Sequence, residues 1–220
     1  MNLTNAEIGK EYIIPTLGVW DSPEEIDFDK LPKKFVLKCN HDSGSVIVCH
    51  NKDNINYEKI IKKLKKSLKR NYFWTSREFN YKNIEKKIIA EEYISDNNSN
   101  ELTDYKFFCF NGEPKFIQID RNRFTNHTRN FYTIDWKYID VEYGCKNDEN
   151  INLDKPKFLE DMISLAKKLS IGFAHVRVDF YFSNGRIYFG ELTFHHGGGA
   201  MKIIPEEYDR IWGDMLILPQ

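Results

Sequence analysis

The sequence predicts an α+β chain built on antiparallel sheets, and three observations carry that expectation. Strand-like runs arrive in pairs, "KKFVLK" with "VIVCH", "DYKFFCF" with "EPKFIQID" and "AHVRVDFYF" with "RIYFGELTF", each pair joined by a Gly-bearing turn. Two helical segments stand between these hairpins instead of following every strand. A doubly wound parallel sheet needs a crossover after each strand, so this order favours antiparallel pairing.

A chain of 220 residues is long enough for one domain, or two lobes, with a real core. Its formal net charge of -1 supports neither a global nucleic-acid role nor a global membrane role, although local patches remain open. Cys39, Cys49, Cys109 and Cys145 lie far apart with no C-x-x-C pair, which signals neither a zinc site nor a redox motif and suits free thiols. The N-terminus "MNLTNAEIGKEY" has no apolar signal core, and no apolar run approaches the roughly 20 residues of a membrane span. A cytoplasmic location is the expectation.

In chain order, the first hairpin turns around Ser43-Gly44. "YEKIIKKLKKSLKR" sets Ile60, Ile61, Leu64 and Leu68 on one face of a helix and Lys or Arg on the other. That basic face reads first as solvated, with an anionic polysaccharide or lipid head groups as the sharper alternative. "KKIIAEEYI" reads as a buried strand, and "SDNNSNEL" as a loop expected, with "HDSGS", to be the most mobile interior stretch. A hairpin turning at Asn111-Gly112 follows. "DKPKFLEDMISLAKKL" predicts a second helix, with Asp154 as its cap, Pro156 in its first turn, and Leu159, Met162, Ile163, Ala166 and Leu169 on one face.

The last hairpin carries the strongest chemistry. Arg177 and Asp179 share a strand face, as do Glu191 and Thr193. A two-residue Asn184-Gly185 turn pairs Val178 with Glu191 and sends the two acids to opposite faces. A three-residue turn pairs Arg177 with Glu191 and Asp179 with Phe189, so both acids share a face. Only a shared face makes a site, so the turn is expected to be odd in length or to carry a compensating bulge. Two carboxylates on neighbouring strands suit Mg²⁺, which keeps waters and takes phosphate oxygens. His195-His196 would point apart on a strand, a poor zinc pair. Gly197, Gly198 and Gly199 let backbone N–H groups approach an anion, or simply make a turn.

Two further features are weaker. Lys38 precedes "NHDSGS", in which Ser43, Gly44 and Ser45 can present donors to phosphate, without a Walker A pattern. "AEEYI" can offer backbone groups to a purine at a strand end.

Taken in order, the Lys38 strand, the Gly loop, "EEYI", "DYKFFCFNG", "VRVDF" and "GELTF" with the glycine triplet resemble the ATP-grasp enzymes, specifically the TupA-like group of teichuronopeptide synthesis. "LGVWDSPEEIDFDKLPKKFVLK", "RFTNHTRNFYTIDW" and "PEEYD" extend the resemblance from about Ile8 onward. The resemblance implies one ATP-grasp module over residues 1–220, with two α+β lobes enclosing a nucleotide cleft. Residues 1–94 would be the flap-bearing lobe up to the adenine hinge, and 95–220 the metal-binding lobe. It implies Lys38 on ATP phosphates and Ser43, Gly44 and Ser45 as the flap. It sets Glu91, Glu92, Tyr93 and Ile94 at the adenine, Asp104 on the ribose hydroxyls, and Lys106 following on the same strand face. Asp179 and Glu191 would bind magnesium, with Thr193 where relatives often carry asparagine. Arg177 would steady the transferred phosphoryl group, and Gly197 to Gly199 would hold the acceptor carboxylate.

The activity so implied is ligation of a carboxylate to an amine, such as an amino acid, at the expense of ATP with Mg²⁺. The setting implied is cell-surface polysaccharide synthesis from uronic acids. Typical relatives begin with an additional N-terminal domain, so a partner protein supplying that region is a further expectation. Two rival readings stand beside this one: a nucleotide-sugar glycosyltransferase, from the D-x-D of Asp27 and Asp29, and a non-catalytic nucleotide-binding module.

Overall fold

The structure, a computed structural model, describes residues 7–95, 102–121, 126–148, 150 and 153–218. Most of the "SDNNSNEL" loop, residues 96–101, lies outside the described residues. The chain divides into two units, one spanning residues 14–94 and the other comprising the chain before and after it.

In the unit of residues 14–94, strands β1 (Thr16–Trp20), β2 (Phe35–Cys39), β3 (Ile47–Cys49) and β4 (Ile88–Glu92) form an antiparallel sheet in the order β1-β4-β2-β3. β2 and β3 make the expected hairpin around Ser43-Gly44, with Phe35 opposite Cys49 and Leu37 opposite Ile47. Helix α1 (Tyr57–Leu68) starts where the Asn56 side chain accepts the Lys59 N–H at 2.8 Å. It buries Ile60 and Leu64 against Phe35, Leu37, Ile88 and Ala90. The alternation of β2 and β4 leaves Lys38 and Glu91 on the opposite face of this sheet. A single helical turn, α2 (Phe73–Ser76), leads back toward β4.

The other unit is organised by a six-stranded antiparallel sheet. Strands β5 (Asp104–Phe110), β6 (Glu113–Arg121), β7 (Thr128–Thr133), β8 (Tyr138–Ile139), β10 (His175–Ser183) and β11 (Arg186–Thr193) follow the order β11-β10-β5-β6-β7-β8. Short β9 (Glu142–Tyr143) and β12 (Ile203–Ile204) pair separately. Helix α3 (Leu159–Ser170) covers one face of the large sheet, packing Leu159, Met162, Ala166 and Leu169 against Phe107, Ile117, Val176, Val178 and Phe180. On the other face, Phe108, Phe110, Phe116 and Phe131 pack with Trp212 of helix α4 (Glu207–Gly213), and the rest of that face is polar.

Two expectations are corrected. Asp154 does not cap the second helix: α3 begins at Leu159, and its N-cap residue Phe158 makes no side-chain cap bond. The entry is set by aromatic packing, because the Phe158 ring stacks on Phe182 at 3.6 Å and meets Tyr105 edge-on at 5.3 Å. Residues 7–13 also group with the later part of the chain, not with residues 14–94 as a 1–94 boundary implies. Ile8 is buried in the α3 core, Ile13 bridges Phe189, and Arg186 Nε donates to the Glu11 carbonyl at 2.6 Å.

Candidate functional site

The last hairpin reconciles a short turn with a shared face. Its turn is the two-residue Asn184-Gly185, with φ 50 and 79, and it pairs Phe182 with Ile187 and Phe180 with Phe189. The three-residue turn with Arg177 opposite Glu191 is therefore not what forms. The register shifts between Asp179 and Phe180, Gly190 becomes an extra residue, and Asp179 then lies opposite Glu191 and Arg177 opposite Thr193. The compensating bulge thus sets both carboxylates on one face. Glycine suits the bulge because a Cβ at Gly190 would sit 3.0 Å from the Tyr181 ring and 3.1 Å from the Asp179 carbonyl oxygen.

On that face Asp179 is 1% exposed and bound by two cations. Arg177 donates from Nε to Oδ1 and from Nη2 to Oδ2, each at 2.7 Å, and Lys106 Nζ donates to Oδ2 at 2.7 Å. Lys106 reaches because the β5–β10 register sets it directly opposite Asp179, and its Nζ lies 3.6 Å from Asp104 Oδ1. Burial works against the Arg177 charge, but the Asp179 carboxylate outweighs it and holds the guanidinium above its ordinary value. Arg177 Nη2 also donates to Thr193 Oγ1 at 3.1 Å, and the Thr193 hydroxyl donates to Glu191 Oε1 at 3.2 Å. The Glu191 side chain is 62% exposed and lies 3.7 Å from Arg177 Nη2.

The donor set here is all oxygen. Among the described residues no group of three or more His, Cys, Asp or Glu side chains is gathered to hold a metal. Two carboxylates and a hydroxyl suit a hard cation that keeps waters and takes further oxygens from a ligand, as Mg²⁺ does. A carboxylate offers about four lone-pair positions, and the Asp179 bonds to Arg177 and Lys106 leave one. The residues present therefore fit Mg²⁺.

In the unit of residues 14–94, Lys38 Nζ pairs with Glu91 Oε2 at 2.6 Å. The Ser45 hydroxyl is turned inward, accepting the Cys39 N–H at 2.9 Å, whereas Ser43 and Gly44 are exposed. Gly44 has φ 102 and open space around its missing Cβ. Of the hinge groups, the Glu92 N–H is taken by the Pro15 carbonyl at 3.0 Å, and the Ile94 backbone makes no hydrogen bond among the described residues. The Tyr93 ring meets His50 edge-on at 5.2 Å. Sequence reading missed what anchors the Gly loop. His41 is buried with Nε2 at 3.1 Å from the Ser67 carbonyl, and Asp42 accepts from the Ser67 hydroxyl. A serine on the i+3, i+7 spacing of Ile60 and Leu64 was the available signal.

Gly197, Gly198 and Gly199 follow β11 as a turn in the left-handed region, with φ 62, 64 and 70. His196 fixes its start: the ring Nδ1 lies 2.6 Å from Tyr143 Oη, and that hydroxyl donates to the His196 carbonyl at 3.1 Å. Burial, reinforced by the neighbouring His175 and Arg177, pushes the His196 imidazole down to about 3, so it is neutral at pH 7. His195 is exposed while His196 is half-buried, so the two do not converge. A Cβ at Gly197 would lie 2.5 Å from Met201 and 3.0 Å from Tyr143 Oη.

A second group on this sheet face escaped the sequence. Asp120 lies opposite Asp104 and accepts from Arg129 Nε at 2.7 Å and from Gln118 Nε2 at 3.0 Å. The polar alternation Gln118, Asp120 in "FIQIDR" signals it, since the amide and the acid would otherwise point into the α3 core. The D-x-D pair has a structural use: Asp27 accepts the Asp29 N–H at 3.2 Å and pairs with Lys30 at 2.9 Å.

A family model described as TupA-like ATPgrasp matches residues 2–217. No curated protein sequence matches the chain. The solved D-alanine–D-alanine ligase of Bacillus anthracis superposes with a TM-score of 0.52 at 20% identity, over 98% of this chain and 64% of that one. The same enzyme complexed with ATP gives 0.52 at 19% identity, over 98% and 63%. The chain thus spans 64% of the length of the first of these ligase structures, and the likeness is one of fold.

Proposed function

The chain belongs to the TupA-like ATP-grasp family, and on that premise we propose that it is an ATP-dependent ligase that joins a carboxylate to an amine. The observation that carries this reading is the shared face of Arg177, Asp179, Glu191 and Thr193, with Lys106 directly beside Asp179. That face answers the electrostatic problem of the reaction, in which one anion must approach another.

In the proposed reaction a carboxylate oxygen attacks the γ-phosphorus of ATP, the bond to the β–γ bridging oxygen breaks, and ADP leaves. The amine nitrogen then attacks the acyl carbon, inorganic phosphate leaves, and the nitrogen loses a proton to give an amide. Arg177 and Lys106 stabilise charge on the transferred phosphoryl group. Asp179 and Glu191, with Thr193 beside them, would hold Mg²⁺, which when bound would supply further charge neutralisation on phosphate oxygens. Lys38 and the exposed Ser43-Gly44 backbone bind phosphates, and Glu91 and the Ile94 backbone recognise adenine. Asp104 takes the ribose hydroxyls. The N–H groups of Gly197 and Gly199 hold the acceptor carboxylate, that of Gly198 being turned to the His195 carbonyl at 3.0 Å, and none of these roles needs a Ser or Cys nucleophile.

The substrate class proposed is a uronic acid, free or polymer-borne, joined to an amino acid in cell-surface polysaccharide synthesis in the cytoplasm. Against the glycosyltransferase reading stands the local structural use of its D-x-D, Asp27 accepting the Asp29 N–H and pairing with Lys30. The test is ADP release with Mg-ATP across a panel of uronic acids and amino acids. Release that depends on both a carboxylate and an amine is expected. ATP binding without such release would instead mark a nucleotide-binding module, and failure to bind ATP would remove the proposal altogether.

A further inference from the structure

Helix α1 lies on the sheet face opposite Lys38 and Glu91, and its outward side is cationic. Lys59, Lys62, Lys63 and Lys66 recur at i, i+3, i+4 and i+7, Arg70 follows just past the helix end, all are exposed, and none forms an ion pair among the described residues. A lysine face alone is ordinary. Its continuation is less so: the chain turns out of α1 into an exposed aromatic group, with Trp74 63% and Phe79 69% accessible.

These aromatics are held, not loose. Both rings pack on buried Phe73, at 5.1 and 5.2 Å. The segment is tied to the end of α1, since Asn71 Nδ2 donates to the Lys82 carbonyl at 3.0 Å and Lys86 Nζ to the Leu68 carbonyl at 2.7 Å. Arg77 lies 5.6 Å from the Trp74 ring centre and Lys82 lies 5.2 Å from that of Phe79. Water-exposed apolar rings rimmed by cations, beside a cationic helix face, match an anionic layer with an apolar region beneath it.

We propose that this surface docks the protein on an anionic lipid bilayer, with Trp74 and Phe79 entering the headgroup layer and the α1 cations facing lipid phosphates. The attachment proposed is peripheral; no helix among the described residues is long and apolar enough to cross a membrane. Arg77 and Lys82 lie over one face of each ring and Phe73 meets both rings edge to face, which leaves less ring face for flat stacking on a sugar. The helix itself does not insert, because its apolar side is spent on Phe35, Leu37 and Ile88. The proposal stands independently of the ligase reading, since it uses none of the nucleotide residues.

Co-sedimentation of the whole chain with vesicles tests it, comparing phosphatidylglycerol–phosphatidylcholine mixtures with pure phosphatidylcholine at low ionic strength. Binding to the anionic vesicles alone is expected. Trp74→Ser with Phe79→Ser should weaken it at least about tenfold, and Lys62→Glu with Lys66→Glu should do the same. Far-UV circular dichroism checks that both variants fold, and the charge pair gives an independent arm should the aromatic pair misfold. Absence of binding to anionic vesicles would overturn the proposal. So would binding indifferent to the aromatic pair, which marks a generic polycation. Equal or tighter binding to soluble polygalacturonate, lost in the aromatic variant, would assign the surface to a polymer instead.

Discussion

Hairpins β5–β6 and β10–β11 are built on one plan and put to different use. Each turns through Asn-Gly with φ 50 and 79, and each carries one extra residue on its second strand. In β5–β6 the register shifts between Phe108 and Cys109, close to the turn, where Pro114 and exposed Lys115 sit. In β10–β11 it shifts farther out, at Gly190, beside Asp179. Both bulges bring the same result: Lys106 faces Gln118 in one hairpin, and Asp179 faces Glu191 in the other. An undisturbed two-residue turn would set Lys106 opposite Ile117 and Val178 opposite Glu191, sending charge into the α3 core. The difference lies in what stands at the bulge. Near the turn it disturbs a solvent edge, whereas beside Asp179 it re-aims a carboxylate.

The largest break in this comparison is removal of the anion that both hairpins share. Asp179→Ala leaves Arg177 and Lys106 buried without their common partner, and a loss of about 3–5 kcal/mol is expected in urea unfolding. A loss below about 1 kcal/mol would mean the cations are solvated in the free protein. Next comes the bulge itself. Gly190→Val drives a branched side chain toward Tyr181 and the Asp179 carbonyl, and about 1–3 kcal/mol should be lost. Lys115→Val, at the corresponding extra residue of the other hairpin, should stay within about 0.5 kcal/mol. Equal effects at the two positions would erase the distinction drawn between them.

Lys38→Ala is expected to weaken ATP binding by about 1.5–3 kcal/mol in calorimetry while the fold persists. Unchanged affinity would reduce the Lys38–Glu91 pair to a strand ion pair. The last expected effect concerns pH. His196 is depressed in the fold from 6.5 to about 3, so the unfolded chain binds its proton first as pH falls. Its contribution to stability is therefore complete above about pH 6.5 and is lost progressively toward pH 3. His196→Phe should flatten the stability profile between pH 6.5 and 5, and thermal unfolding across that window checks it. An unaltered slope would place the titration elsewhere.

Much of the fold was legible because it is local. The Asn-Gly turns, the amphipathic spacing of Ile60 and Leu64, and the alternation in "VRVDF" each act within a few residues. Arg177, Asp179 and Glu191 were legible as candidates, but their shared face hung on parity, which a turn alone does not decide. Gly190 was the clue to the bulge, being the residue in that strand without a side chain to clash. The Lys106–Asp179 contact joins strands 73 positions apart, and no local pattern encodes it. The Asp42–Ser67 anchor, 25 positions apart, was hidden for the same reason, whereas Asp120 showed only in the polar alternation of "FIQIDR". The Asp154 cap failed because a long-range stack, Phe158 on Phe182, decides where α3 begins.

The central claim is that Asp179 and Glu191 act together on a metal–nucleotide complex. The most direct measurement is ATP binding by titration calorimetry, with and without Mg²⁺, for the wild type and Glu191→Gln. Glu191 is the more exposed of the two acids, so its amide should leave the unfolding midpoint nearly unchanged. The account predicts tighter binding with Mg²⁺ in the wild type and loss of that Mg²⁺ dependence in the variant. Binding that is indifferent to Mg²⁺ in the wild type, or equally Mg²⁺-dependent in Glu191→Gln, would contradict it.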